Sequence, residues 1–280
     1  MIRALSLPGC ACRGAFQFAV MARLAEAGER FDLVAGASSG SICGAVTVAG
    51  LSADGPAMWR SMARTPITSL SYLRGERSVF GMSAILREAL RRYLPEERLQ
   101  GTHAELLVAT TRAVPFALGS VASAIRRRAP RAETPGLVVH SNRGRRDMHD
   151  VIVASCYIPV VYARPTWLDG ELHVDGGAAD NTLIDALVAR GADDITVVTP
   201  YPEGVVARTI FAPERPPEAP PHVRLRLIYP ARPLRQKRFD FAPGPMEEAL
   251  SMPHEVRIVE PAAPPRAGFP AGAARPTTSP

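Results

Sequence analysis

Residues 33–53, LVAGASSGSICGAVTVAGLSA, contain no charged side chain. About 20 apolar residues in a row are enough to cross a bilayer, so the make-up of this run decides what kind of chain it belongs to. Gly36, Gly40, Gly44 and Gly50, with Ser38, Ser39 and Ser41, remove much of the transfer gain that Leu or Ile would give. The run therefore reads as three buried pieces end to end: a short apolar strand in FDLVAG, a sharp turn, and a small-residue helix in SSGSICGAVTVAG that can lie close against a sheet.

The same alternation continues along the chain. Residues 2–7 read as a strand and residues 8–14 as a tight loop. AFQFAVMARLAEAGERF then places Phe16, Val20 and Leu24 on one face of an amphipathic helix that Gly28 closes. MSAILREALRRYLPEERL is a periodic helix ended by Pro95. ELLVATT, GLVVHS, DDITVVT and HVRLRLIYP read as strands, and the proline-rich APERPPEAPP is expected to loop out. Residues 261–280 turn to Pro, Ala, Gly and Thr without periodicity, an expected disordered tail behind a domain of residues 1–260. Strands alternating with helices predict a layered α/β fold with a mostly parallel sheet, whose reactive groups gather at the carboxyl ends of the strands.

Charge and cysteine content narrow the function classes. The net charge is +6, carried almost entirely by Arg, with Lys237 the only Lys. Such an excess suits anionic surfaces, either phospholipid head groups or nucleic acid. The basic residues are dispersed and no aromatic-interleaved recognition motif accompanies them, which argues against nucleic acid. Arg126, Arg127 and Arg128 read as a solvated loop or as a contact for anionic lipid. Cys10, Cys12, Cys43 and Cys156 are too scattered for a disulfide framework and lack a second pair at zinc-ligand spacing, so no metal or cofactor is expected. MIRALSLPGC is interrupted by Ser6 and Pro8 before it reaches the length of a signal core, and a cytoplasmic protein is expected.

The opening run carries the chemistry. Gly36-Ala37-Ser38-Ser39-Gly40 is a G-x-S-x-G sequence between a predicted strand and a predicted helix, the context that gives the motif meaning. The turn strains the serine backbone, the glycines let strand and helix pass closely, and the helix dipole favours negative charge beside the hydroxyl. A serine needs a base. In LHVDGGAADNTLIDAL, Asp175 ends a short strand before Gly176 and Gly177, as a surface Asp-Gly turn or as a carboxylate with room for a partner. In LPGCACRGAF, the amides of Gly9, Cys10, Ala11, Cys12, Arg13 and Gly14 are candidates for an oxyanion hole, with Arg13 adding charge there or capping a surface. Of the six histidines, only His222 and His254 follow Asp175, as a Ser, Asp, His order requires. His222 opens a strand, His254 sits near an expected frayed end, and His173 shares a strand face with Asp175 and reads as packing.

Taken together these segments resemble the patatin-like phospholipase family, in which a glycine-rich loop with a basic residue, G-x-S-x-G and D-G-G or D-G-A follow one another at comparable spacing. VASCYIPVVYARPTWLDGELHVDGGAADNTLIDAL is similar to the family's stretch around its catalytic Asp, and the resemblance covers roughly residues 1–200. It implies a three-layer α/β/α fold, no cofactor, and a phospholipid or other fatty acyl ester as substrate, with peripheral contact at an anionic membrane. By matched position it implies a Ser38 nucleophile, an Asp175 base partner and an acyl-enzyme. The chain departs from the family at Cys10 and Ala11, where consecutive glycines are usual; a residue there that needs positive φ is strained. Two other outcomes stay open: a Ser-His-Asp esterase, and a lipid-binding or regulatory protein that keeps the fold without turnover.

Overall fold

The structure is a computed structural model that describes residues 1–76, 78–113, 136–158, 162 and 165–261. Arg126, Arg127 and Arg128, and the tail from residue 262 onwards, lie outside the described residues. In chain order the first half contains β1 (Arg3–Leu7), α1 (Gly14–Glu26), β2 (Leu33–Gly36), α2 (Ser39–Val48), α3 (Gly55–Arg64), α4 (Tyr72–Gly75), α5 (Met82–Tyr93) and β3 (Glu105–Arg112). The second half contains β4 (Leu137–Ser141), α6 (Met148–Ser155), β5 (Thr166–Leu168), β6 (Glu171–Asp175), α7 (Ile184–Ala189), β7 (Asp194–Val198), β8 (Val206–Ala207), β9 (Glu214–Arg215), β10 (Arg224–Pro230), α8 (Pro243–Ser251) and β11 (His254–Val259).

Five strands, in the order β10-β7-β1-β2-β3, form a parallel centre. Antiparallel strands flank it, β11 on β10 at one end and β4, β6 and β5 at the other. Side chains alternate across this sheet because successive strand residues point to opposite faces. Leu5, Leu7, Val34, Leu106 and Val108 face a thick helical layer built from α1, α2, α3, α5, α6 and α8. Ala4, Leu33, Ala35, Leu107 and Ala109 face a thinner layer with Leu183 and Leu187 of the α7 region and Val206 of β8. This is the three-layer α/β/α architecture. The buried Phe16 and Phe18 of α1 show why that helix docks so firmly, since each such side chain contributes about 1.5–3 kcal/mol.

Helix ends follow local chemistry. Gly28, at φ 78°, closes α1 as its N–H reaches back to Ala25 O. In α3, Pro56 occupies the first turn, where its missing N–H costs nothing. The uncharged run at residues 33–53 resolves into β2, a turn at Ser38 and α2, and no helix among the described residues is long and apolar enough to cross a membrane.

Two local expectations are corrected. The proline-rich segment does not loop out entirely, because Glu214 and Arg215 keep their N–H groups and pair with β8. His254 is not in a frayed end; it opens β11, which pairs with residues 225–230 and so satisfies the edge of β10.

The arrangement that positions the site lies on β3. Residues 105–108 of β3 pair with β2, residues 110–112 with β6, and residues 107–111 with β4. Since β4 overlaps both registers it takes one edge alone, and β2 and β6 share the other. β2 ends at Gly36 opposite Val108 while β6, running the other way, ends at Asp175 opposite Thr110. Their carboxyl ends therefore face each other beside Ala109. The chain leaving β6 passes so close that a Cβ at Gly176 would overlap the carbonyl oxygen of Ala109.

Gly176→Ala is accordingly expected to lower the unfolding free energy by roughly 3 kcal/mol, by forcing β6 off β3. Gly244→Ala, where a Cβ meets nothing within 4 Å, is expected to show no comparable loss. Urea unfolding of the two variants side by side checks the contrast.

Candidate active site

Ser38 sits between β2 and α2 with φ 51° and ψ −129°, a conformation that stores about 1–2 kcal/mol in a residue with a side chain. The flanking glycines are required by packing: a Cβ at Gly40 would overlap Leu7 O, and one at Gly36 would lie 2.5 Å from Gly40 O. Ala37, fully buried, donates its N–H to Leu7 O at 3.3 Å. The strained residue is held from both sides. Its N–H donates to Ser155 Oγ at 2.9 Å, and its carbonyl accepts from Ser41 Oγ at 2.6 Å. The amino end of α2 thus points its dipole at the hydroxyl.

Asp175 is 3% exposed, which settles against a surface turn. Its N–H donates to Tyr157 O at 2.9 Å, its carbonyl accepts from Thr111 Oγ1 at 2.8 Å, and its Oδ1 accepts from the Gly177 N–H at 2.8 Å. Among the described residues Oδ2 is buried without a hydrogen-bond partner. The carboxyl is raised to about 6, because burial outweighs the lowering by the neighbouring Ser38 hydroxyl and the Gly177 N–H. One short segment at the end of α6 holds both residues, Ser38 through Ser155 and Asp175 through Tyr157.

The loop before α1 is largely committed to itself and its surroundings. Gly9 N–H donates to Asn181 Oδ1 at 2.8 Å, Cys10 N–H to Ser39 Oγ at 3.0 Å, Cys12 N–H to Arg238 O at 2.9 Å and Arg13 N–H to Cys10 O at 3.2 Å. Gly14 N–H turns back to Ala11 O. Ala11 stands apart: it takes φ 51°, and its N–H makes no hydrogen bond among the described residues. The Ser39 N–H, at the first position of α2, is likewise unbonded among the described residues. Both residues line the cavity that contains Ser38. The strain expected of a missing glycine is therefore real and falls on Ala11.

Arg13 does not aim at this point. Its Nε donates to Gln236 O at 2.9 Å and its guanidinium lies 5.3 Å from the centre of the Tyr201 ring, so it anchors a neighbouring segment. Burial pushes Cys10 and Cys12 up to about 12, leaving both as neutral thiols. Three supporting residues escaped the sequence reading. Gln17 bridges Pro8 O and Val198 O, Asn181 grips both backbone groups of Gly9, and Ser155 holds Ser38. Gln17 carried a signal, an amide on the buried face of an amphipathic helix, and Ser155 stands in the VASCYIP stretch of the family resemblance.

Beside Ser38 an apolar cavity of about 80 Å³ is walled by Ile42, Trp59, Met62, Ile85, Leu86 and Tyr162. No histidine is among its lining residues. His222 is exposed in a turn, and His254 packs its Nδ1 against the Arg23 guanidinium at the far edge of the sheet. Among the described residues no group of three or more His, Cys, Asp or Glu side chains could hold a metal ion.

The family model described as patatin-like phospholipase matches residues 5–188. No curated protein matches the chain. Among solved structures, that of VipD from Legionella pneumophila is similar at 16% identity with a TM-score of 0.39, covering 70% of this chain and 49% of that one. The chain thus spans about half the length of that relative.

One buried polar group next to the site has a readable pH signature. Thr110, opposite Asp175 in the β3–β6 register, places Oγ1 2.8 Å from His140 Nε2 and 2.8 Å from His173 Nδ1. The hydroxyl bonds both rings and lies 3.5 Å from Val138 O, tying β3 to β4 and β6. Burial lowers His140 to about 4 and His173 below its usual value. Their neutral forms are the folded ones, so the unfolded chain binds more protons below the ordinary imidazole pKa of about 6.5. Stability is expected to fall as pH drops from 6.5 towards about 4. Asp175, whose pKa is raised on folding, contributes the opposite slope between 3.8 and about 6, so the measurement belongs in an Asp175→Asn background. Thr110→Val, which strands two ring nitrogens, is expected to cost roughly 2–3 kcal/mol near neutral pH in denaturant titrations.

Proposed function

Because the chain belongs to the patatin-like phospholipase family, we propose that it hydrolyses fatty acyl esters of lipids, with Ser38 as nucleophile and Asp175 as its base, through an acyl-enzyme. The observation that carries this reading is the buried carboxyl of Asp175 with the Ser38 hydroxyl beside it. An ordinary Asp is a feeble base at neutral pH. Desolvation brings this one to about 6, still ionised at neutral pH yet closer to the proton affinity that general-base catalysis favours.

In the proposed reaction Ser38 Oγ attacks the ester carbonyl carbon as its proton passes to Asp175 Oδ2. The carbonyl electron pair moves onto oxygen, where the unbonded N–H groups of Ala11 and Ser39 and the α2 dipole favour it. Collapse of the tetrahedral adduct expels the alcohol, which takes the proton from Asp175, and leaves the acyl group on Ser38. Water then attacks the acyl carbon with Asp175 again as base, the bond to Ser38 Oγ breaks, Ser38 takes the proton back from Asp175, and the free acid departs. The apolar walls of the cavity accept the acyl chain.

The positions of His222 and His254 favour a dyad over a Ser-His-Asp triad, since neither lines the cavity. The non-catalytic alternative rests on Cys10 and Ala11. Ala11 adopts the positive φ that a glycine would take, and its amide stays free at the cavity, which favours retained turnover.

A fluorophosphonate probe is expected to label Ser38. Ser38→Ala and Asp175→Asn should each lower kcat/KM on a medium-chain ester by at least about 10³-fold. His222→Ala and His254→Ala should retain activity; a comparable loss in either would turn the assignment towards a triad, and a parent protein that neither labels nor turns over would favour the binder. Since Asp175 must be ionised to accept a proton, kcat/KM should rise through about pH 6 and level off above it.

A further inference from the structure

The segment between α3 and α5 is a closed loop with its apolar side chains turned outwards. Thr68 pairs with Phe80, Ser69 N–H donates to Val79 O at 2.9 Å, Gly81 N–H donates to Ile67 O at 2.8 Å, and Tyr72 OH donates to Pro66 O at 2.8 Å. With its ends pinned in this way the loop does not collapse onto the core. Leu70 is 76% exposed, Leu73 47%, and Val79 and Phe80 37% each. Leaving a Leu in water forgoes about 1.5–3 kcal/mol of burial, and soluble proteins seldom cluster such exposure without use for it.

The loop is continuous with the cavity of Ser38. Met62 and Ala63, just before it, and Met82, just after it, all line that cavity. So does Phe239, which is itself 61% exposed and forms part of the rim. The cations beside the rim differ in pairing: Arg238, adjacent to Phe239, is held by Glu214 at 3.0 Å. Arg74, inside the loop, and Lys237, two positions before Phe239, are exposed and make no ion pair among the described residues.

We propose that this rim, the loop around α4 together with Phe239, docks on the surface of an anionic phospholipid bilayer, so that an acyl chain enters the cavity without crossing water. The inference rests on the proposed lipid hydrolase and names the surface through which it meets its substrate. Leu70 and Leu73 enter the boundary between head groups and acyl chains, and Arg74 and Lys237 meet the lipid phosphates. A second copy or another protein seated on the rim would cover the cavity mouth, whereas a bilayer supplies the ligand whose chemistry the cavity walls match.

The test is co-sedimentation of the full chain carrying Ser38→Ala, which cannot consume lipid, with phosphatidylcholine vesicles that contain or lack phosphatidylglycerol. Binding is expected to anionic vesicles, weakened about tenfold or more by Leu70→Ser with Leu73→Ser. Arg74→Glu with Lys237→Glu should weaken it by about tenfold or more and abolish the preference for phosphatidylglycerol. With Ser38 intact, the Leu70→Ser, Leu73→Ser protein should hydrolyse a water-soluble short-chain ester at the parent rate, because neither leucine lines the cavity. The proposal is overturned if the chain ignores both kinds of vesicle, or if the leucine variant binds as well as its parent. It is overturned equally if light scattering shows a dimer that the leucine variant dissolves, since the patch would then be a contact between copies. Hydrolysis of soluble esters without vesicle binding would sink this inference alone; vesicle binding without any ester turnover would sink the proposed activity and leave the docking surface standing.

Discussion

The edge of β3 that carries two strands governs the rest of the molecule near the site. β2 occupies its first half and β6 its second, and they run towards each other. A hydroxyl just past the end of one strand and a carboxylate at the end of the other then have to meet. Neither strand can slip without moving its whole set of buried side chains to the wrong face. The end of α6 closes the arrangement, with Ser155 holding the Ser38 N–H and Tyr157 O holding the Asp175 N–H.

Two residues in this region hold unfavourable backbone angles, Ala11 and Ser38, both at φ 51°. Each costs about 1–2 kcal/mol, comparable to one or two net hydrogen bonds. The surroundings offset that cost with buried, well-formed bonds: Gln17 and Asn181 grip the loop before Ala11, and the hydroxyls of Ser155 and Ser41 take the two backbone groups of Ser38. Among the described residues of this region, the N–H groups of Ala11 and Ser39, the Oδ2 of Asp175 and the Oε1 of Gln236 are unbonded. Buried polar groups are ordinarily satisfied, so such a concentration points to chemistry.

The uneven thickness of the two helical layers gives the site its shape. On the thick side, α2, α3 and α5 stand over the carboxyl end of β2 and leave an apolar cavity between them. The connection from α3 to α5 must cross the rim of that cavity, and it does so as a pinned loop with leucines outward. Ser38, the apolar cavity and the exposed rim thus lie on consecutive stretches of one layer.

Much of this was legible in the residues. The uncharged run with its spaced glycines announced a strand, a tight turn and a close-packed helix, because a Cβ at Gly36 or Gly40 has nowhere to go. Asp175 followed by two glycines read as a surface turn or as a carboxylate with room for a partner. Tertiary structure alone decided that Asp175 is buried rather than in a surface turn, that the Ala11 amide is the one left free in its loop, and that Arg13 reaches away to Gln236 and Tyr201. It also decided that His254 belongs to a paired strand. The physical reason is common to all four: glycine spacing and apolar periodicity are local properties of a chain, whereas burial, a vacant hydrogen-bond donor and the direction of a charged side chain depend on which distant segment arrives beside it.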